Sequence, residues 1–234
     1  MSAVNMAQPG IWQRLFPSAL ALMTHLENQV PGTTWTFGGG TVLMLRIAHR
    51  HSKDIDLFVP NPQYLGFVNP RLSDVAADVS SDYEEATEFV KLFLPDGEID
   101  IVAGGTLTDR AFDLVDYDGR QLRVETSAEI IAKKMWHRGD RAKGRDLFDL
   151  CAVADSQPDQ IRLAAPHMVR HGAAFLTAIV DRAKVITREL EEIDVIGPTR
   201  SYAQCREQAE HHPPAAAVIR PYAIRRRKLG MAGR

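Results

Sequence analysis

The pattern of apolar and polar positions predicts a leading helix, then short strands, then a run of helices. Residues 11–29 carry leucines at helical spacing, and Pro31-Gly32 ends that pattern. After it, apolar and polar residues alternate in short runs that turn residues bound, which predicts strands. These runs cover residues 34–37, 54–59, 89–94 and 98–102, with a further strand pair around 117–119.

From residue 126 onward the periodicity becomes helical. Helices are predicted near 127–138, 143–155, 158–170 and 173–192, whereas 197–234 has weak periodicity and is expected to be partly extended or flexible. We therefore predict an α/β (α+β) fold, with a mixed sheet flanked by helices. The predicted domains are a catalytic domain at 1–125, a helical domain at 126–196 and a basic C-terminal extension at 197–234.

Composition indicates an ordinary globular protein. The 234 residues are 45% hydrophobic and 25% charged, and the chain has only two cysteines without CxxC spacing. The amino terminus lacks a secretory pattern, and no apolar run is long enough for a membrane span. We therefore expect a cytoplasmic protein with reduced thiols and no membrane partner. The net charge of −2 conceals a basic end that contains Arg220, Arg225, Arg226, Arg227, Lys228 and Arg234.

A glycine triplet separates the first predicted strand from an apolar helix at 41–48. Gly38-Gly39-Gly40 would let the backbone approach a ligand closely, and the free N–H groups at a helix start favour anionic oxygens. The hydroxyl of Thr41 would lie beside them. Such a triplet is usually only a turn, so by itself it predicts a phosphate site weakly.

Two aspartates lie one residue apart on the predicted strand at 54–59. Alternation places Asp54 and Asp56 on one face, where carboxylate oxygens suit Mg²⁺ and the phosphates that it carries. Asp100, in the middle of a later strand, could be a further ligand or could accept the proton of an attacking hydroxyl. A DxD pair alone is more often an exposed face. The order of glycine turn, helix, DxD strand and later Asp favours phosphoryl or nucleotidyl transfer.

Two sequence blocks resemble a known family. The first contains Phe37-Gly38-Gly39-Gly40-Thr41, His49-Arg50, Ser52 and Asp54-Ile55-Asp56-Leu57-Phe58. The second contains Ala132-Lys133-Lys134-Met135, Arg138 and Arg145-Asp146-Leu147-Phe148-Asp149-Leu150. In this order, over residues from about 35 to 151, they resemble the AbiEii/AbiGii-type nucleotidyltransferase toxin family of the DNA polymerase β-like superfamily.

The resemblance implies roles for particular residues. A lysine near 134 and Asp146 would be needed for activity, and Lys134 is preferred over Lys133 because it shares a helical face with Arg138. Asp149 is expected to be a structural partner of a nearby arginine. Arg50 could hold phosphate or could merely suit the helix dipole. The candidates are Asp54, Asp56, Asp100, Lys134 and Asp146 for catalysis, Asp54, Asp56 and Asp100 for metal, and Gly39, Gly40, Thr41, Arg50, Lys133 and Arg138 for nucleotide.

The resemblance also implies a reaction. A nucleoside monophosphate would pass from a nucleoside triphosphate to an acceptor hydroxyl, with Mg²⁺, and alternatively Mn²⁺, in a two-metal site. The implied acceptor is RNA, for example the 3′ end of tRNA, and the implied partner is a cognate antitoxin. Two alternatives stay open, namely transfer to a protein side chain or small molecule, and a non-catalytic nucleotide- or RNA-binding module. The basic end and Tyr222 fit RNA contact and fit a solvated terminus equally well.

Overall fold

The computed structural model describes residues 3–211, which form two compact units. The first unit ends at Thr126 and the second begins at Ser127. The basic end of the chain and Tyr222 lie outside the described residues, so the predictions made for them stay predictions.

The described part of the first unit is built on a seven-stranded mixed sheet. Its strands are β1 (Thr36–Gly38), β2 (Ile55–Val59), β3 (Tyr83–Ala86), β4 (Phe89–Leu94), β5 (Gly97–Ala103), β6 (Phe112–Tyr117) and β7 (Arg120–Glu125). Their order across the sheet is β3-β4-β5-β2-β1-β7-β6. Strand β2 runs parallel to β5 and antiparallel to β1, and β1 runs parallel to β7. The predicted mixed sheet is confirmed.

Helices flank this sheet because each has an apolar face to bury. They are α1 (Trp12–Gln29), α2 (Gly39–Ile47), a 3-10 helix (Pro62–Val68) and α3 (Asp74–Val79). Phe16 of α1 stacks on Phe37 of β1 with ring centroids 4.9 Å apart, and both side chains are fully buried. In β2 the alternate residues Ile55, Leu57 and Val59 are fully buried, which leaves Asp56 on the opposite face.

Two features of this unit differ from the sequence prediction. Helix α2 begins at Gly39 and not at Thr41, since Gly39 has a φ of +71° that turns the chain directly into the helix. Strand β3 was not predicted. Its residues Glu84 and Glu85 are exposed at the sheet edge, so the strand lacks the apolar alternation by which strands are recognised.

The described part of the second unit is helical. Its helices are α4 (Ser127–Arg138), a 3-10 turn (Gly139–Arg141), α5 (Gly144–Ser156), α6 (Pro158–Met168), α7 (Gly172–Asp181), α8 (Ala183–Glu191) and α9 (Tyr202–His211). The single helix predicted over 173–192 is two helices, separated at Arg182, whose guanidinium donates to the Ala142 carbonyl oxygen at 3.0 Å. Helix α9 lies where extended chain was expected, and it buries Cys205 and Ala209, one turn apart. Within residues 3–211, no helix combines the length and the apolar character that crossing a bilayer requires.

Candidate active site

The glycine turn makes room for the carboxylate of Asp56. Strand β1 ends at Gly38, and a Cβ atom on Gly39 would overlap the Asp56 carboxylate. The φ of +71° at Gly39 is also unfavourable for any residue with a side chain. The structure shows that Gly39 leaves space for a carboxylate at the first turn of α2. Phosphate binding at these glycines stays a prediction.

Two more charged side chains lie against the same turn. A Cβ on Gly40 would lie 2.8 Å from Nη2 of Arg50, which is buried and donates through Nη1 to the His51 carbonyl oxygen at 3.1 Å. The fully buried carboxylate of Glu125 lies against Gly38 and accepts a 2.7 Å hydrogen bond from Thr36 Oγ1. Sequence analysis missed Glu125, because only the parallel pairing of β1 with β7 brings it to the turn.

Thr41 ties α2 to the start of β2. Its side chain is fully buried, and Oγ1 donates to the Asp54 carbonyl oxygen at 2.5 Å and lies 3.1 Å from Ser52 Oγ. The hydroxyl proton is therefore used within the protein. This contact positions the segment that carries Asp54 and Asp56, and the phosphate-binding role of Thr41 stays a prediction.

Asp56 and Asp100 form a pair of neighbouring carboxylates. They are register partners on the parallel strands β2 and β5, and both are half-buried. Burial, reinforced by the negative charge of Asp56, raises the pKa of Asp100 from 3.8 to about 6. The two carboxylates therefore repel each other, and a cation bound between them would lower their energy.

Lys91 supplies part of the positive charge at this pair. It lies opposite Asp100 in the β4–β5 hairpin, with Nζ 3.3 Å from Asp100 Oδ2 and 2.9 Å from Glu98 Oε2. Burial lowers the pKa of Lys91, but the hydrogen bond to Glu98 and the charges of Asp100 and Glu98 raise it overall. Sequence analysis missed Lys91, although the register of the predicted hairpin would have placed it opposite Asp100.

Asp54 is held differently from Asp56. It precedes β2, and its Oδ1 accepts a 3.2 Å hydrogen bond from the Glu98 backbone N–H. Across residues 3–211, no three side chains of His, Cys, Asp or Glu are grouped so that they could hold a metal ion. The three aspartates are thus not a closed cage, but Mg²⁺ is commonly held by one or two carboxylates together with substrate phosphates. Asp56 and Asp100 fit that requirement, and metal binding by Asp54 stays a prediction.

In the second unit, α4 and α5 bring together two cations and two carboxylates. Lys134 Nζ lies 2.9 Å from Asp146 Oδ1 and 3.0 Å from Asp149 Oδ2, and Arg138 Nη2 lies 2.7 Å from Asp146 Oδ1. Asp149, which was expected to be a structural partner of an arginine, pairs with Lys134. Burial raises the pKa of Asp146, but the charges of Lys134 and Arg138 outweigh it and lower the pKa to about 2. Asp146 is therefore ionised at neutral pH.

Lys133 lies in a different environment from Lys134. Its side chain is 6% exposed, and its Nζ is 3.6 Å from Oε1 of the fully buried Glu129, one turn earlier in α4. Lys134 and Arg138, also one turn apart, both contact Asp146. Nucleotide binding by Lys133 stays a prediction that would require this buried ion pair to open.

Comparisons with known proteins extend these observations. The family described as nucleotidyl transferase AbiEii toxin, type IV TA system, matches residues 21–221. A search of curated proteins finds no significant match. Among solved structures, the chain is similar to JHP933 from Helicobacter pylori, with 15% identity, a TM-score of 0.48 and coverage of 93% of this chain and 97% of that one. It is also similar to the antibiotic-resistance factor ANT(2'')-Ia, with 11% identity, a TM-score of 0.47 and coverage of 74% and 99%.

Proposed function

Since the chain belongs to the AbiEii family of nucleotidyltransferase toxins, we propose that it transfers a nucleoside monophosphate from a nucleoside triphosphate to a hydroxyl group of RNA. The 3′ end of tRNA is the first candidate acceptor. The observation that carries the proposal is the pairing of Asp56 with Asp100 beside the glycine turn. Nucleotidyl transfer itself is the activity of the family, so the chain is a nucleotidyltransferase.

The first unit provides ligands for a divalent cation. Asp56 and Asp100 offer hard oxygen donors from adjacent strands, and their mutual repulsion favours a cation between them. We propose that one or two Mg²⁺ ions bind at this position and that Mn²⁺ can replace them. A divalent cation held there would offset the negative charge of the triphosphate and of the leaving pyrophosphate. The backbone N–H groups at the start of α2 would bind phosphate oxygens.

The second unit provides positive charge for the triphosphate. The ammonium group of Lys134 has three N–H donors, and Asp146 and Asp149 take two of them. The third donor, together with the guanidinium of Arg138, which is 37% exposed, would bind phosphate oxygens. Asp146 and Asp149 hold the lysine in place, because both are buried and fixed on α5.

The proposed step balances as a single displacement. The acceptor hydroxyl gives its proton to Asp100 and its oxygen forms a bond to the α-phosphorus, while the bond between that phosphorus and the oxygen of the β-phosphate breaks and pyrophosphate leaves. No covalent intermediate with the protein is needed. We place the reaction in the cytoplasm, where nucleoside triphosphates and RNA occur together, and propose growth arrest as its consequence and a cognate antitoxin as the partner of the protein.

The test is transfer of label. Purified protein is incubated with total cellular RNA, Mg²⁺ and each α-labelled nucleoside triphosphate in turn, beside the Asp56→Ala variant and an Asp78→Ala control at an exposed position of α3. We expect label in RNA with the wild type and the control, and a loss of at least about a hundredfold with Asp56→Ala or with a chelator. Label in protein or in a small molecule, or no transfer with any nucleotide, would contradict the RNA proposal.

A further inference from the structure

The second unit carries a group of cations, four of them exposed and one half-buried, beside the Lys134–Asp146 contact. We call it the basic surface, and it consists of Arg138, Arg141, Lys143, Arg145 and Arg170. The first four lie within eight consecutive residues at the end of α4, the 3-10 turn and the start of α5. Within that stretch the only carboxylate residue is Asp140. The charge of this stretch is therefore strongly positive although the chain as a whole is slightly negative.

The fold brings Arg170 to the same surface from the turn that follows α6. Its guanidinium carbon lies 5.0 Å from the centre of the Trp136 ring, and Trp136 is on α4, two residues before Arg138. Next to it, a Cβ atom on Gly139 would lie 2.8 Å from the Cβ of His171, so the chain after α6 packs directly against the 3-10 turn. The five cations thus come from two segments that are in contact with each other.

Much of this charge forms no ion pair within residues 3–211. Arg138 pairs with Asp146, and Arg141 lies 3.8 Å from Asp140. Within residues 3–211, no carboxylate forms an ion pair with Lys143, Arg145 or Arg170. The remaining residues, 1–2 and 212–234, contain neither Asp nor Glu. The described residues therefore leave these three cations available to an anionic binding partner.

The aromatic ring at the edge of the surface indicates which kind of polyanion fits. Trp136 is half-buried, with the Arg170 guanidinium over its ring and the His167 ring 6.4 Å away at 68°. Planar arginine and aromatic groups between backbone-binding cations are typical of proteins that bind single-stranded nucleic acid, because bases stack on these planes. Acidic peptides and anionic lipids would use the charge alone.

We propose that the basic surface binds the sugar–phosphate backbone of the acceptor RNA and that Trp136 with Arg170 forms a stacking platform for one of its bases. The inference rests on the proposed function in that the bound RNA is taken to be the acceptor. Arg138 belongs both to the basic surface and to the contact with Asp146, so bound RNA would lie beside the candidate catalytic residues of this unit.

RNA binding can be measured without any nucleotide transfer. Fluorescently labelled unfractionated tRNA is titrated with the full-length protein, and anisotropy is recorded over a range of salt concentrations. The test variant combines Lys143→Gln, Arg145→Gln and Arg170→Gln, none of which is a candidate catalytic residue. The control combines Arg14→Gln, Arg71→Gln and Arg206→Gln, which remove the same total charge at three exposed arginines that are not part of the basic surface.

We expect the test variant to bind tRNA about tenfold more weakly at low salt and to lose roughly two units of the slope of log affinity against log salt. The control should bind within about twofold of the wild type, because nonspecific loss of charge has only a small effect. In the labelling assay the test variant should raise the KM for RNA while leaving the KM for the nucleotide unchanged.

Each of the other outcomes contradicts either RNA binding by the basic surface or the proposed transfer to RNA. Unchanged tRNA affinity and salt slope in the test variant would show that the basic surface does not bind RNA, even if the wild-type protein labels RNA. The protein could instead bind polyglutamate, or vesicles containing phosphatidylserine, more tightly than tRNA. If the same substitutions abolished that binding, the basic surface would be assigned to another partner. The test variant could bind tRNA more weakly while the wild type labels no RNA. This result would support RNA binding by the basic surface and would contradict RNA as the acceptor.

Discussion

At the scale of single residues, the glycines of the turn are explained by the charged groups packed against them. Gly39 leaves space for the Asp56 carboxylate, Gly40 for the Arg50 guanidinium and Gly38 for the Glu125 carboxylate. A side chain at any of these positions would displace a charged group, so the turn sets the geometry of the candidate site before any ligand binds.

Gly39→Ala tests this reading of the turn. The new methyl group would overlap the Asp56 carboxylate and would also strain a backbone with a φ of +71°. We expect nucleotidyl transfer to fall by about a hundredfold or more, because small displacements of a catalytic group are costly, and unfolding free energy to fall by roughly 1–3 kcal/mol. Steady-state kinetics and urea unfolding measure the two effects.

Gly32→Ala is the matched control. Gly32 has a similar φ of +81°, but a Cβ there meets nothing within 4 Å. The Gly32→Ala variant should therefore lose only the stability that corresponds to the backbone strain, and it should keep full activity. Equal loss of activity in both variants would mean that strain, and not displacement of Asp56, is responsible.

At the scale of elements, α4 and α5 are joined by buried ion pairs. Lys134 is 9% exposed and lies between Asp146 and Asp149, which are 4% and 0% exposed. Removing one member of such a group leaves the opposite charge buried and poorly compensated. The free energy of unfolding then falls by more than it would if the whole pair were replaced by apolar residues. The contact therefore constrains the packing of the two helices as well as the position of the lysine.

The pH dependence of Asp146→Asn follows from the lowered pKa of Asp146. A carboxylate whose pKa falls from 3.8 to about 2 on folding stabilises the protein above about pH 4, and this contribution disappears as pH falls toward 2. The shift corresponds to roughly 2 kcal/mol. We expect Asp146→Asn to be less stable than the wild type by about that amount at pH 7, with the difference shrinking below pH 4, in urea unfolding at a series of pH values.

Asp155→Asn provides the comparison in the same unit. Asp155 is 52% exposed and pairs at 2.9 Å with Arg200, whose side chain is 11% exposed, and a carboxylate that stays this accessible to water gains little from its ion pair. Its effect should be less than about 1 kcal/mol at pH 7. A destabilisation by Asp146→Asn that persists unchanged at pH 2 would show that the carboxylate charge is not what stabilises the helix pair.

At the scale of the whole molecule, candidate catalytic residues lie in both units. Asp56 and Asp100 belong to the sheet unit, and Lys134 and Asp146 belong to the helical unit. The family match spans residues 21–221 and so includes residues of both. The family match therefore covers the candidate residues of both units.

Lys134 decides whether the helical unit takes part in the chemistry. We expect Lys134→Met to lower transfer by at least about a hundredfold, with Lys134→Arg retaining part of the activity because the charge persists. The control Lys184→Met, at an exposed position of α8, should leave the transfer rate unchanged. Transfer is measured with α-labelled nucleotide, and unfolding curves identify variants that are simply unfolded. Full activity in a folded Lys134→Met variant would leave the lysine with a structural role only.

Local pattern and motif predicted a large part of this protein. Helix α1, strand β2, the hairpin of β4 with β5 and the first helices of the second unit follow from apolar periodicity and turn residues, which act over a few residues of chain. The two sequence blocks predicted the family, since their residue types and order are specific. Edge strand β3 and helix α9 were missed, because neither has an apolar pattern strong enough to distinguish it from loop.

What the sequence by itself determined is therefore the elements, the family and the set of candidate side chains. Only the tertiary structure decided which side chains meet: Asp100 with Asp56 and with Lys91, Glu125 with the glycine turn, and Lys134 with Asp146 and Asp149. Strand order and helix packing set these contacts, and both depend on burial of apolar surface between segments distant in the chain. Periodicity along the chain does not specify such pairings, because it reports which face of an element is buried and not which element covers it.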